Sequence, residues 1–174
     1  AAFDQYGLPY TIVRPFNCVG VGEARALGEA EVLSGNVKLA MSHVVPDLVQ
    51  KLAKGQDPLH ILGDGEQVRH YTYGGDLARG IVTALEHPAA LGEDFNLSTA
   101  ESTTVLELAQ LIWQKVNGPG VPFRYVSDPP FDHDVARRVP DVTKARKILG
   151  FEATTRLDAM LDEVIPWIRQ AMAD

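Results

Sequence analysis

A chain of 174 residues is the size of one ordinary domain, and with 45% apolar and 22% charged residues it can bury a core, which excludes a disordered chain. Its formal net charge of −7 opposes a polyphosphate backbone, so nucleic acid is not an expected partner. Cys18 is the only cysteine, which excludes an internal disulfide framework and a thiolate metal site.

In chain order, Ala2 to Tyr6 reads as the end of a helix closed by Gly7, and with Ala1 in place of an initiator Met the sequence is expected to be a piece of a longer chain. Tyr10 to Arg14, a β-branched run after Gly7 and Pro9, predicts a buried strand. The stretch 17–42 is rich in Gly, Ala and Glu and reads as a long loop, a feature often functional. Ser42 is placed to cap a helix reaching about Lys54 and ended by Gly55, with Val45, Leu48, Val49 and Leu52 on one face and Pro46 in the first turn. Leu59–Leu62 and Gln67–Tyr73 read as two strands joined by a tight Gly63-Asp-Gly65 turn. A helix is expected over Asp76–Glu86, with Leu77, Ile81 and Leu85 spaced by four, then a short strand at Phe95–Leu97.

Thr104 and Glu107 have capping-box spacing and open a helix whose Val105, Leu108, Ala109, Ile112 and Val116 form a stripe, stopped by Gly118-Pro-Gly120. Pro122–Val126 predicts a strand and Thr143–Leu149 a short helix stopped by Gly150. Thr155 is placed to cap a final amphipathic helix through Leu157, Leu161, Val164 and Ile168, with a kink expected at Pro166. Trp113, Trp167 and the Phe residues read as core, and Cys18 as a small buried residue. Asp76 reads as a helix-terminus residue. The five histidines show no metal-ligand spacing, so no metal is expected. Short apolar runs predict neither a membrane span nor a signal peptide, and the cytoplasm is the expected location. Strands alternating with helices indicate an α/β fold.

Several blocks then appear in a fixed order. Tyr6-Gly-Leu-Pro-Tyr-Thr-Ile-Val-Arg-Pro-Phe-Asn17 is followed by Gly20 and Gly22-Glu23, Ser42-His-Val-Val-Pro-Asp47 and Leu62-Gly-Asp-Gly-Glu-Gln67. Arg69-His-Tyr-Thr-Tyr73 with Asp76-Leu-Ala78, Phe95-Asn-Leu-Ser98, Arg137-Arg-Val-Pro-Asp141, Lys144-Ala-Arg146 and Leu149-Gly-Phe151 complete the set. The ordered set resembles the C-terminal, substrate-binding part of the NAD-dependent epimerases and dehydratases of the extended short-chain dehydrogenase/reductase family, enzymes that modify sugar nucleotides.

The resemblance implies that 1–17 and 74–98 are the last two parallel strands and a helix of an NAD-binding Rossmann domain. It implies that 18–73 and 99–174 form the sugar-nucleotide domain. Pro15 and Phe16 would border NAD, which the other half of the family fold mainly binds. Arg69, one of Arg137 or Arg138, and Asn17 would hold the diphosphate or ribose of a UDP- or dTDP-sugar, and Leu59 to Ile61 would pass the base. An arginine fork suits a diphosphate because it donates to two oxygens at once. A lone Arg also serves as a surface charge or an ion-pair partner to Asp, and Asn17 could close an Asx turn. Arg138 best matches the Arg-x-Pro-Asp pattern of the UDP-glucuronate decarboxylase branch. Galactose-epimerase-type members carry an Arg before the Gly-Asp preceding this block, where Phe131-Asp132 stands here, a departure from that branch.

The family's acid/base is a Tyr with a Lys four residues later. Four positions after Tyr6, Tyr10, Tyr71, Tyr73 and Tyr125 stand Tyr10, Arg14, Gly75, Leu77 and Pro129, so the sequence offers no catalytic residue. Gly20-Val-Gly22, Gly63-Asp-Gly65 and Gly118-Pro-Gly120 each lack the third glycine of a dinucleotide loop. No turnover by this chain alone is expected; a non-catalytic sugar-nucleotide binding module and a structural domain are the alternatives. A strand pair left with an open edge also predicts self-association, or pairing with a separate nucleotide-domain chain.

Overall fold

The computed structural model describes residues 2–22, 31–34, 37–40, 43–130 and 133–173. Helix α1 (Ala2–Tyr6) ends at Gly7, and strands β1 (Ile12–Pro15) and β2 (Cys18–Val19) follow. The stretch expected to be loop holds β3 (Glu31–Ser34) and β4 (Val37–Ala40), paired antiparallel with Glu31 opposite Ala40. Val32, Leu33, Val37 and Leu39 supply a strand propensity that the surrounding Gly, Ala and Glu obscured. Helix α2 (Val44–Ala53) has His43 at its N-cap; Ser42, the expected cap, lies outside the described residues.

Strand β5 (Leu59–Leu62) is followed by β6 (Val68–Arg69), β7 (Thr72–Tyr73) and α3 (Gly74–Glu86). Then come β8 (Asp94–Leu97), β9 (Thr103–Thr104), α4 (Val105–Asn117), β10 (Tyr125–Asp128), α5 (Thr143–Leu149) and α6 (Leu157–Ala171). The capping box of α4 forms as expected: the Glu107 N–H donates to Thr104 Oγ1 and the Thr104 N–H to Glu107 Oε2. Gly118 and Gly150 end α4 and α5 with positive φ. Helix α6 runs unbroken through Pro166, but its N-cap is Arg156 and not Thr155.

The two strands around the Gly63–Gly65 turn do not form a hairpin. β5 pairs parallel with β10, Leu59 opposite Tyr125, while β6 pairs antiparallel with β9 and β7 parallel with β2. The turn redirects the chain because Leu59 and Ile61 must stay in the core, and β10 is the neighbour that keeps them there. Gly65, at φ +81°, has no room for a side chain: a Cβ would sit 3.0 Å from both Ile61 and Leu106.

Two apolar clusters organise the chain. The larger gathers α2, α4, α6 and β5 around Leu48, Val49, Leu59, Ile61, Leu108, Ile112, Trp113, Leu161 and Ile168. The smaller joins Leu77 and Ala84 of α3, Phe95 and Leu97 of β8, Ala145 and Leu149 of α5, and Phe151. Here β1 and β8 pair in parallel, Ile12 opposite Asp94, as the resemblance implied. The division of the cores departs from the expected boundary: α5 and Phe151, assigned above to the second domain, pack with the Rossmann-like pair.

β1 is not the buried strand expected, since Ile12 is 49% exposed; β8 covers one of its edges only. On α3 the packed face is Leu77, Gly80 and Ala84, while Ile81 is exposed and Leu85 is 82% exposed. Small residues set that register, for a Cβ on Gly80 would lie 2.7 Å from the Phe151 ring. Cys18 and Phe3 are exposed and Trp167 half-buried, against the expectation of burial. Among the described residues no helix is long and apolar enough to cross a membrane.

Candidate functional site

The stretch Gln67–Tyr73 draws most of the expected site residues together through its backbone. The Val68 N–H donates to the Ala136 carbonyl at 2.8 Å, and the Val68 carbonyl accepts from the Arg138 N–H at 3.1 Å, a parallel bridge centred on Arg137. Four residues on, the Asn17 carbonyl accepts from the Thr72 N–H at 3.0 Å, and the Asn17 side-chain amide donates to the His70 carbonyl at 3.1 Å. Asn17 has φ +36°, a left-handed conformation that Asn tolerates better than most residues. Its amide bond is long-range, not the Asx turn that was the alternative. Asn17, Arg69, Arg137 and Arg138 are thus strung along one short strip of chain.

The side chains are less converged. Arg69 Nη2 donates to Asp134 Oδ1 at 3.0 Å and Nη1 to the Val68 carbonyl at 3.0 Å; the two side chains of the ion pair are 15% and 29% exposed. Arg137 and Arg138 are exposed, with no carboxylate partner among the described residues. Of four cavities bounded by described residues, about 250, 370, 530 and 470 Å³, none takes Asn17, Arg69 or Arg138 in its wall. The 530 Å³ cavity lies beside this strip, between Gly63, Gln67 and Asp128.

In the stretch Gln67–Tyr71 three buried polar atoms lack a partner among the described residues: Gln67 Oε1, His70 Nε2 and the Tyr71 hydroxyl oxygen. His70 Nδ1 lies 3.0 Å from the Thr99 carbonyl and must donate to it. Burial pushes the Tyr71 hydroxyl far above the usual tyrosine range, and the Arg69 charge opposes that shift. Tyr71 and His70 were not singled out from the sequence.

Leu59 and Ile61 point into the larger core, and the Leu59 N–H is held by the Arg124 carbonyl at 3.0 Å. The outward positions of β5 are His60 and Leu62, both half-buried. His60 Nδ1 meets Asp128 Oδ1 at 2.9 Å, and its carbonyl accepts from Lys51 Nζ at 3.0 Å. Pro15 is exposed at the carboxyl end of β1, and the half-buried Phe16 donates its N–H to the Leu97 carbonyl at 3.2 Å. Carboxyl ends of parallel strands are where ligand crevices open in α/β sheets.

Asp76 is structural. Its buried carboxylate accepts the N–H groups of Thr154 at 3.0 Å and Thr155 at 2.8 Å and pairs with Arg79 at 2.7 Å. Burial raises its pKa, but the Thr155 bonds and the Arg79 guanidinium outweigh this and hold it below the usual carboxylate value. Among the described residues no group of three or more His, Cys, Asp or Glu side chains is placed to hold a metal.

Residues 1–98 match the model of the NAD dependent epimerase/dehydratase family. The UDP-N-acetyl-alpha-D-glucosaminuronate decarboxylase of Bacillus cytotoxicus is 30% identical over 172 residues, covering 97% of this chain and 49% of the relative. Among solved structures, UDP-glucose 4-epimerase from Thermotoga maritima, crystallised with UDP-glucose, superposes with a TM-score of 0.78 at 30% identity, covering 98% of this chain and 49% of that one. UDP-glucuronic acid 4-epimerase from Bacillus cereus, in complex with UDP-glucuronic acid and NAD, gives a TM-score of 0.77 at 23% identity over 97% of this chain and 48% of that one, a likeness of fold. The chain spans about half the length of the relatives it matches.

Proposed function

The chain belongs to the NAD dependent epimerase/dehydratase family, and from that premise we propose that it supplies the sugar-nucleotide side of an epimerisation, dehydration or decarboxylation of a nucleoside-diphosphate sugar. One observation carries the reading: Arg69, Arg137, Arg138 and Asn17 are tied to one strip of backbone, Arg137 and Arg138 through Val68 and Asn17 through His70 and Thr72. Three arginines on adjacent backbone suit a diphosphate better than a singly charged group. The relatives named above act on or bind UDP-sugars, which favours UDP over dTDP.

For NAD the fit is partial. Pro15 and Phe16 stand at the carboxyl ends of a parallel pair, a suitable border for one end of the cofactor, while no glycine turn here has the dinucleotide pattern. When bound, NAD supplies a hydride acceptor and donor. The residues of this chain contribute positioning: Arg69 and one of Arg137 or Arg138 hold the diphosphate, and the outward face of β5, with His60 and Leu62, borders the base. In this reading 1–17 and 74–98 are the Rossmann portion and the remainder the substrate portion, with α5 packed against the former.

Calorimetry with UDP-glucose, UDP-glucuronic acid and dTDP-glucose tests the reading. Saturable binding that Arg69→Ala weakens by about tenfold or more is expected; a folded chain that binds none of them would leave the structural-domain reading. A second reading is a non-catalytic sugar-nucleotide binding module. Mixing the chain with a family nucleotide domain and NAD separates these: turnover of UDP-sugar supports the catalytic assembly, and binding without turnover supports the module. The open edge of β1 is the proposed seam for that partner or for a second copy, and light scattering on a size-exclusion column should report a species larger than one chain.

A further inference from the structure

Helix α3 has two apolar faces, and only one of them is covered. Leu77, Gly80 and Ala84 are buried, on the side of Phe95, Leu97 and Phe151. Arg79, Thr83 and Glu86 form a polar face. At about 100° per residue, Ala78, Ile81, Val82 and Leu85 fall between these two in an arc about 100° wide that holds no polar side chain. Ala78 is exposed, and Ile81, Val82 and Leu85 are 43%, 50% and 82% exposed. A stripe this wide has the pattern of a face that packs on another element, yet here it is open to water.

The adjoining strand pair indicates what covers it. β1 pairs with β8 alone, and α3 packs beside both strands. A parallel strand set on the open edge of β1 comes with a crossover helix of its own. Right-handed crossovers that step in one direction along a sheet place their helices side by side on one face, so that helix would lie along α3. We infer that the outer stripe of α3 is the seat of a helix of the nucleotide-binding half, the one that accompanies the strand on the edge of β1; this rests on the proposed assembly of the two halves. The relatives are about twice as long as this chain, enough for such a layer. Backbone contacts join the stripe to the open edge. The Gly92 N–H donates to the Tyr10 carbonyl at 2.7 Å and Thr11 Oγ1 to the Ala90 carbonyl at 2.8 Å, which fastens the segment after α3 to the residues entering β1. Leu91 on one side of this junction and Leu8 and Tyr10 on the other are exposed as well.

Titration calorimetry of the full chain with the nucleotide-binding half of a family member, supplied as a separate chain, tests the seat. Wild type should form a one-to-one complex. Leu85→Glu should weaken it by about thirtyfold or more, because a charge would be buried at the contact, while Glu86→Gln on the polar face should change it by less than about twofold. Leu85 is exposed in the chain alone, so the variant should keep the thermal melting of wild type, and Val82→Lys repeats the test one step along the stripe. A complex that neither substitution weakens overturns the inference and leaves the seam at β1 standing; no complex with wild type overturns both. A homodimer that Leu85→Glu dissolves and the nucleotide half does not displace makes a second copy the occupant and also overturns it. Titration with UDP-glucose keeps the readings apart: a chain that assembles through α3 yet binds no UDP-glucose loses the proposed substrate site and retains this interface.

Discussion

The two clusters of this chain are built to different degrees of closure. Around Leu108, Ile112, Trp113 and Leu161 three helices and strand β5 bury their apolar faces on one another. Around Phe95 and Leu97 α3 and α5 pack closely, while along α1, the connection after it and the start of β1 the side chains of Phe3, Tyr6, Leu8, Tyr10 and Ile12 are exposed. The larger region meets its own needs for burial. The smaller one leaves apolar side chains in water, as the proposed seam at β1 requires.

The sharpest way to break that contrast is to remove the same kind of side chain from each region. Leu108→Ala should cost about 2–5 kcal/mol in denaturant unfolding, since Leu108 is fully buried. Ile12→Ala, at the open edge, should cost under about 0.5 kcal/mol. Equal losses would show that β1 is covered in solution, by a second copy or otherwise.

The Asp76 contacts should show an intermediate effect. Asp76→Asn removes the charge that answers Arg79 and is expected to cost about 1–3 kcal/mol. Because its folded pKa lies below the unfolded value, its stabilisation is present above the unfolded pKa, near pH 4, and is lost as pH falls through the folded one. Acid unfolding curves of wild type and variant should therefore converge at low pH. Smaller still, Thr104→Ala should cost about 1 kcal/mol through the lost cap of α4, measured by thermal melting.

The sequence was most informative where one residue type has one physical job. Gly118 and Gly150 terminate helices because a positive φ is needed there, and Thr104 with Glu107 caps α4 by local chemistry alone. Partners distant in sequence were harder to read. Leu77, Ile81 and Leu85 fit a helical period equally well with or without Gly80, and only the Phe151 ring decides which face packs. Thr155 has the chemistry of a cap, yet Asp76, distant in sequence, takes its N–H. At the candidate site the ordered motifs led to Arg69, Arg138 and Asn17, but the pairing of Arg69 with Asp134 has no local signature. For β5 the motif named Leu59 and Ile61, whose side chains alternation sends inward while His60 and Leu62 stay outside.

The Asp76 carboxylate also joins elements from different cores, since α3 packs in the smaller cluster and α6 in the larger. Thr154 and Thr155 sit in an irregular segment, where amides ordinarily trade their hydrogens with solvent quickly. Anchored to a carboxylate, these two should exchange as slowly as helix interiors. Their lifetimes in deuterated water then act as a clock for the two cores parting company, readable one amide at a time.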